Sequence, residues 1–167
     1  LTPYFHGVFF YVKMKRRYRT VEALANKGLT VDVFGPGWES VSFADKLRLH
    51  GKVSYDTVLE AFSRAKVVVQ DQAEFNNGGH DRVFTAMLNG AVVVSEYSSY
   101  LNKEFEDGSE IYLFDWKNIG QQMNVADELL LDESKRLASA IRAYGKAKAK
   151  HCWANRAQRV LEMMALV

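Results

Sequence analysis

Apolar residues alternate between two rhythms along this chain. Short β-branched or aromatic runs predict strands at 8–13 (VFFYVK), 30–35 (TVDVFG), 47–51 (LRLHG), 66–72 (KVVVQDQ), 91–95 and 110–115 (EIYLFD). Helical spacing fills the intervals. Residues 15–27 carry Tyr18, Val21, Leu24 and Ala25 on one face and stop at Gly28, a C-cap signal. Ser54 predicts the N-cap of a helix over 55–65, and 79–89 predict another that stops at Asn89-Gly90. Ser98 or Ser99 caps a short helix through Phe105, and Asp107-Gly108 makes a turn. From Asn118 the pattern is helical: 119–132, then 133–150 starting at Asp132 or Ser134, then 154–166.

Strands that are apolar throughout and alternate with helices predict a parallel sheet buried on both faces. The fold class is therefore α/β, a doubly wound parallel sheet with C-terminal helices. In that class ligands bind beyond the carboxyl ends of the strands. The loops at 35–38, 52–55, 71–80 and 95–98 each follow a strand, so they are expected to share that edge.

Composition narrows the partners. The 167 residues fit one domain, and 48% hydrophobic content supplies a core. Lys+Arg 22 against Asp+Glu 20 leaves a net charge of +2, too balanced to suggest a nucleic-acid partner. The single Cys152 forbids an intrachain disulfide and fits a reducing compartment. No apolar run approaches the ~20 residues needed to span a bilayer, and no signal-peptide pattern is visible. The chain opens on Leu1-Thr2-Pro3 without an initiator methionine, and this suggests an excised part of a longer protein.

The richest chemistry lies in 76–96, NNGGHDRVFTAMLNGAVVVSE. Gly78 and Gly79 open a helix whose first turn holds His80, Asp81 and Arg82. Free backbone amides and a fork-shaped guanidinium suit phosphate oxygens. The competing reading is a glycine-rich loop with a solvated first turn, in which Asp81 only complements the helix dipole. The motif is neither a P-loop nor a dinucleotide fingerprint.

Other constellations carry less. Gly35-Pro36-Gly37-Trp38-Glu39 allows close backbone approach, but Trp38 reads better as packed on the domain edge than as a stacking platform. Lys13, Lys15, Arg16, Arg17 and Arg19 oppose the dipole of the helix they begin, a weak hint of anion binding. Lys146, Lys148 and Lys150 read as a dipole-complementing last turn. His6, His50, His80 and His151 show no metal-ligand spacing. Neighbouring His151 and Cys152 on a helix do not face one another, which rules out a nucleophile–base pair. Asp71, Glu74, Asp81 and Glu96 could gather at one edge for acid–base work.

The order FGPGW, HGKVSYDTVLEAFSRAKVVV and NNGGHDRVFTAMLNGAVVVSEYSSYLNKEFEDGSEIYLFD, closed by HCWANRAQRVLEMM, resembles the C-terminal half of bacterial GT-B glycosyltransferases. The nearest type is glycosyl transferases group 1, related to spore maturation glycosyltransferase-like proteins. The resemblance covers about residues 20–165. It implies a Rossmann-like, three-layer α/β/α domain over 1–167 that binds a nucleotide-diphosphate sugar without a metal or other cofactor. The acceptor domain would precede it, and the protein would be cytoplasmic, free or at the inner face of the membrane, with no integral membrane segment.

By the same resemblance, backbone near Val53 and Ser54 meets the base, and Gly78, Gly79, His80, Asp81 and Arg82 meet diphosphate and sugar. Arg82 and His80 are the expected catalytic pair, with Arg17 and Glu96 as further binding residues. One position departs from the pattern. Related enzymes often place a ribose-binding glutamate just before the alanine of this helix, where this chain has Thr85. Threonine lacks the charged bidentate acceptor. Glu96 or Glu110 could substitute. A non-catalytic α/β module derived from a transferase half is the second expectation.

Overall fold

The computed structural model describes residues 2–73 and 75–165. Five strands alternate with helices. α1 (Thr2–Ala25) leads to β1 (Val31–Val33), and a short 3₁₀ turn precedes β2 (Leu47–Leu49). Then follow α2 (Tyr55–Arg64), β3 (Val67–Gln70), α3 (Asp81–Leu88), β4 (Val92–Glu96), α4 (Ser99–Glu104) and β5 (Tyr112–Phe114). The C-terminal helices are α5 (Ile119–Gln122), α6 (Asn124–Leu131), α7 (Glu133–Lys150) and α8 (Trp153–Ala165).

All strand pairing is parallel. β1 pairs with β2 in one sheet, and β3-β4-β5 form another with Val67 opposite Val92 and Val94 opposite Tyr112. Period-2 alternation in β4 explains the layering. Val93 points into a cluster with Val83, Phe84 and Met87 of α3 and Ala143 and Ala147 of α7. Val92 and Val94 face the opposite cluster, with Leu24 of α1, Ile119 of α5, Leu129 of α6 and Met123 between those two helices. All three valines are fully buried, each contributing about 1.5–3 kcal/mol relative to exposure. A third cluster, Ala25, Val33, Trp38 and Phe43, covers the two-stranded sheet.

Local chemistry sets the element ends. Ser54 caps α2 by accepting from the Thr57 N–H at 3.2 Å, and Ser98 caps α4 by accepting from Leu101 at 3.1 Å. Asp132 caps α7 through the Lys135 N–H at 2.9 Å. Asn89 is the C-cap of α3, and Gly90 follows at φ 85°, a backbone that favours glycine.

Two expectations are corrected. Residues 8–13 are not a strand but lie inside α1. The helix over 15–25 is already nucleated by its packing, and extending a nucleated helix costs little per residue. The only breaker between it and Pro3 is Gly7. The expected single helix over 119–132 is two, broken at Met123, whose fully buried side chain plugs the core. The last helix runs as read to Ala165, and position 166 lies outside the described residues.

Candidate functional site

The carboxyl ends of β3 and β4 carry a buried polar network where an apolar core would be cheaper. Gln72, Ser95 and Glu96 are 1%, 0% and 3% exposed. Buried polar groups persist only when bonded, and these are. The Gln72 backbone N–H donates to Glu96 Oε2 at 3.0 Å. Its side-chain amide donates to Ser95 Oγ at 3.2 Å. Its side-chain carbonyl accepts the backbone N–H of His80 at 3.3 Å. One glutamine therefore ties the ends of two strands to the start of α3.

α1 supplies the cations. Arg17 pairs with Asp71, its Nε 2.9 Å from Oδ2. Arg16 pairs with Glu96 and lies 5.7 Å from the Trp116 ring. Among the described residues its buried Nε has no hydrogen-bond partner. Burial lowers the Arg16 pKa, against the opposing pull of Asp71 and Asp115.

His80 is the N-cap of α3 rather than part of its first turn. Its Nδ1 accepts the Arg82 backbone N–H at 3.3 Å, and Arg82 Nη2 lies 3.0 Å from its Nε2. Asp81 Oδ1 also takes the Arg82 N–H, at 2.9 Å, and contacts the imidazole. Burial lowers the His80 pKa, and Arg82 lowers it further while Asp81 opposes. The imidazole is thus held neutral as a cap acceptor. An arriving anion would have to displace the Asp81 carboxylate from the same amide.

The two glycines before His80 differ. A Cβ on Gly79 would lie 2.9 Å from Phe84 Cζ and 3.1 Å from Leu101 Cδ2, whereas one on Gly78 would meet only Phe75, at 3.5 Å. Neither has positive φ. A side chain at position 79 therefore fits only if the Phe84 ring and Leu101 shift. Ser98 Oγ donates to the Gly78 carbonyl, and Ser99 Oγ donates to Asn77 at 2.9 Å, tethering the loop to α4.

Thr85 donates its hydroxyl to the Asp81 carbonyl one turn back, at 3.0 Å. Glu110 is engaged by Lys146 at 2.5 Å. Burial raises the pKa of Glu110, but the Lys146 bond and charge, the Glu106 backbone N–H and the Arg142 charge together outweigh it and the net shift is downward. Glu96 is committed to Arg16 and Gln72. Val53 and Ser54 follow β2 on the other sheet, and no hydrogen bond joins them to the His80 group among the described residues. Glu74 lies outside the described residues. Trp38 is packed in the third cluster, as its edge-packing reading has it. His151 sits among Phe84, Phe105 and Tyr100 rings, and it and Cys152 lie in the turn between α7 and α8 rather than on a helix as the sequence predicts. Among the described residues no three His, Cys, Asp or Glu side chains group as metal ligands do, and no helix is long and apolar enough to cross a membrane.

Sequence reasoning missed Gln72 and Ser95. Their signal was a polar residue at the carboxyl end of each buried valine run. It also missed the cleft beside them, about 470 Å³, lined by Arg16, Glu96, Tyr97, Asp115, Trp116 and Lys117 among others.

The network, the capped α3 and the parallel topology define a doubly wound α/β domain with its polar centre at the carboxyl edge. Residues 16–162 match the glycosyl transferase-like family, and the chain belongs to it. Solved structures share the fold. HepE from Anabaena with bound UDP-glucose superposes at TM-score 0.74 with 16% identity, over 90% of this chain and 45% of HepE. HepE with UDP and glucose gives 0.71 and 15%, over 90% of this chain and 44% of HepE. TarM gives 0.62 and 17%, over 90% of this chain and 32% of TarM. The chain thus spans less than half of either protein. No curated protein matches the sequence.

Proposed function

We propose that this chain is the donor-binding half of a two-domain glycosyltransferase, probed first with a uridine-diphosphate sugar. The carrying observation is the buried Gln72 link, which fixes the start of α3 at the carboxyl edge of β3 and β4. That HepE holds UDP-glucose on the same fold supports the choice of donor. The reaction would move a sugar from the nucleotide diphosphate to an acceptor hydroxyl. The bond from the anomeric carbon to the diphosphate oxygen breaks, the bond to the acceptor oxygen forms, and the acceptor proton leaves to a base.

The chain's own part is electrostatic. Arg82, the first amides of α3 and Arg17 would face the charge that builds on the leaving diphosphate, the largest usual contribution of such a site. His80, which caps through Nδ1, accepts from Arg82 Nε on that same atom at 3.4 Å and aims the guanidinium. Gly78, Gly79 and Asp81 shape the loop, and Val53 and Ser54 approach the base from β2. Glu96 holds Arg16 in place. The acceptor domain, on a separate N-terminal half, would supply the base. We place the protein in the cytoplasm, at the inner face of the membrane if its acceptor is lipid-linked.

Titration calorimetry with UDP, GDP and their sugars tests this. Binding of one nucleotide in the millimolar range or tighter, lost at least tenfold in Arg82→Ala, is expected. No binding to any of them by a chain joined to its N-terminal half would overturn it. A second reading, a non-catalytic module, is favoured by one observation: the Thr85 hydroxyl is spent inside its own helix.

A further inference from the structure

The cleft at the carboxyl ends of β4 and β5 has a chemistry of its own. Its volume of about 470 Å³ falls in the range of about 300–1,000 Å³ usual for small-molecule sites. Apart from the Arg16–Glu96 pair, no group that lines it enters the proposed function. Two large aromatic side chains on its rim are exposed, Tyr97 at 51% and Trp116 at 37%. Strand register brings them together. Glu96 lies opposite Phe114, and the Tyr97 N–H donates to the Phe114 carbonyl at 2.8 Å. Tyr97 and Trp116 therefore leave adjacent strands at one level of the same edge.

The platform is braced in advance. The Arg16 guanidinium, paired with Glu96, lies 5.7 Å from the Trp116 ring. Asp115 caps the turn that carries Trp116 by accepting the Lys117 N–H at 2.9 Å, and Gln122 Oε1 accepts the Asp115 N–H at 2.5 Å. A surface held before its ligand arrives loses less freedom on binding. Among the described residues neither the Tyr97 hydroxyl nor the Trp116 indole N–H has a hydrogen-bond partner, although both groups ordinarily find one when covered.

Charge and polarity choose the ligand. Arg16 is balanced by Glu96, which leaves Lys117 against Asp107 and Asp115 on the lining. The surplus is negative, so a diphosphate is repelled. A purely apolar ligand would cover these charged groups without satisfying them. A neutral ring with an apolar C–H face and a rim of hydroxyls meets both demands. Its face packs on the aromatic rings. Its hydroxyls donate to the carboxylates and accept from Lys117 and the Gln122 amide. Asp107 and Asp115 each engage a backbone N–H through Oδ1 alone and keep Oδ2 for such a donor.

We propose that this cleft is a subsite for a neutral saccharide, with Tyr97 and Trp116 as its platform and Asp107, Asp115, Lys117 and Gln122 reading hydroxyls. It is built wholly from this chain and does not rest on nucleotide binding at α3. Glu96 is the wall between the two places. Its Oε2 accepts the Gln72 N–H on the α3 side, and its partner Arg16 braces Trp116 on the cleft side. The sugar therefore lies beside the start of α3, and it comes either from an acceptor glycan or from the donor itself.

Amide NMR of this chain, titrated with glucose, galactose, mannose, N-acetylglucosamine and cellobiose, tests it. At least one sugar should give saturating shifts in the millimolar range, centred on the amides of 97, 115–117 and 122. Trp116→Ala should weaken that binding at least about tenfold. Asp115→Asn, which keeps an oxygen for the turn, should weaken it several-fold, and Trp153→Ala on α8 should leave it unchanged. If Trp116→Ala does not fold, Trp116→Leu removes the ring and keeps apolar bulk. Silence with every sugar, or equal binding by the Trp116 variant, would overturn the proposal. So would inorganic diphosphate moving the same amides more than any sugar. Competition separates the sources. If UDP-glucose displaces a free sugar that UDP leaves in place, the cleft holds the donor's own sugar; a sugar that stays bound beside UDP-glucose belongs to an acceptor. Sugar binding by a chain that takes no nucleotide keeps the subsite and sinks the donor reading, and UDP binding without any sugar does the reverse.

Discussion

The side-chain carbonyl of Gln72 accepts the backbone N–H of His80 at 3.3 Å, joining the end of β3 to the N-cap of α3. The same residue donates to Glu96 and Ser95 from a fully buried position. Gln72→Leu keeps the volume and removes every side-chain bond. It leaves the His80 N–H without its partner and takes a donor from Ser95 Oγ, which still donates to the Glu96 carbonyl; an unsatisfied buried group costs about 1–3 kcal/mol. Urea unfolding should show a loss of about 2–4 kcal/mol. A loss under about 0.5 kcal/mol would mean that the network is not structural.

Steric demand separates Gly79 from Gly78. Gly79→Ala places a methyl 2.9 Å from Phe84 Cζ, in a core where overpacking costs about 1–3 kcal/mol. Gly78→Ala meets only ordinary contact and should stay within about 0.5 kcal/mol of the parent. Thermal melts of the two variants check this. Equal effects would show that Phe84 and Leu101 can move aside.

Much of this was legible in the sequence. Ser54, Ser98 and Asp132 act as caps because a short oxygen-bearing side chain before an amphipathic run has one good use, satisfying orphan amides. The valine runs of β3 and β4 could not hide in any other element. What was not legible depends on tertiary partners. Residues 8–13 have strand chemistry, yet a strand needs neighbours while a helix satisfies its own backbone, so a pattern alone could not choose. Gly79 looked like a phosphate-loop glycine, and only the Phe84 ring shows that packing crowds any side chain there. Gln72 was invisible because its three partners lie 8–24 residues away.

Acid should weaken the fold through two histidines. Burial lowers the pKa of both His80 and His151 below 6.5; Arg82 adds to the shift at His80, and Glu104 opposes it at His151. The unfolded chain therefore binds these protons first. Stability is complete above pH 6.5 and falls as pH drops from there through the lower folded values, by at most about 1.4 kcal/mol per pH unit for each histidine. Urea midpoints at pH 7.5, 6.5 and 5.5 should decline in that order. His151→Phe keeps an aromatic ring against Phe84 and Phe105 and should flatten the slope. A midpoint that rises on acidification would refute the linkage.

Asp81 competes with any anion for the Arg82 amide, which it holds at 2.9 Å. Asp81→Asn keeps an oxygen for the cap and removes the charge. Inorganic diphosphate and UDP should both bind several-fold tighter in calorimetry, with the gain shrinking as salt rises. Unchanged affinity for both would place the anion elsewhere than the start of α3.

Thr85 decides whether this site is tuned or decayed. Its hydroxyl bonds back to Asp81 within the helix, so it offers little to a ligand. In Thr85→Glu the longer side chain reaches past the backbone and presents a carboxylate to a ribose. Hydrogen bonds to a charged acceptor are worth about 1.5–3 kcal/mol, which is roughly ten- to a hundredfold in affinity. The like-charged pair with Asp81, four residues back, costs only about 0.2–0.5 kcal/mol. UDP affinity should therefore rise at least tenfold while that of inorganic diphosphate, which has no ribose, stays level or falls slightly. A fall in UDP affinity would show that threonine is part of a working site matched to its own donor. An equal change for both ligands would show that residue 85 faces no ribose at all.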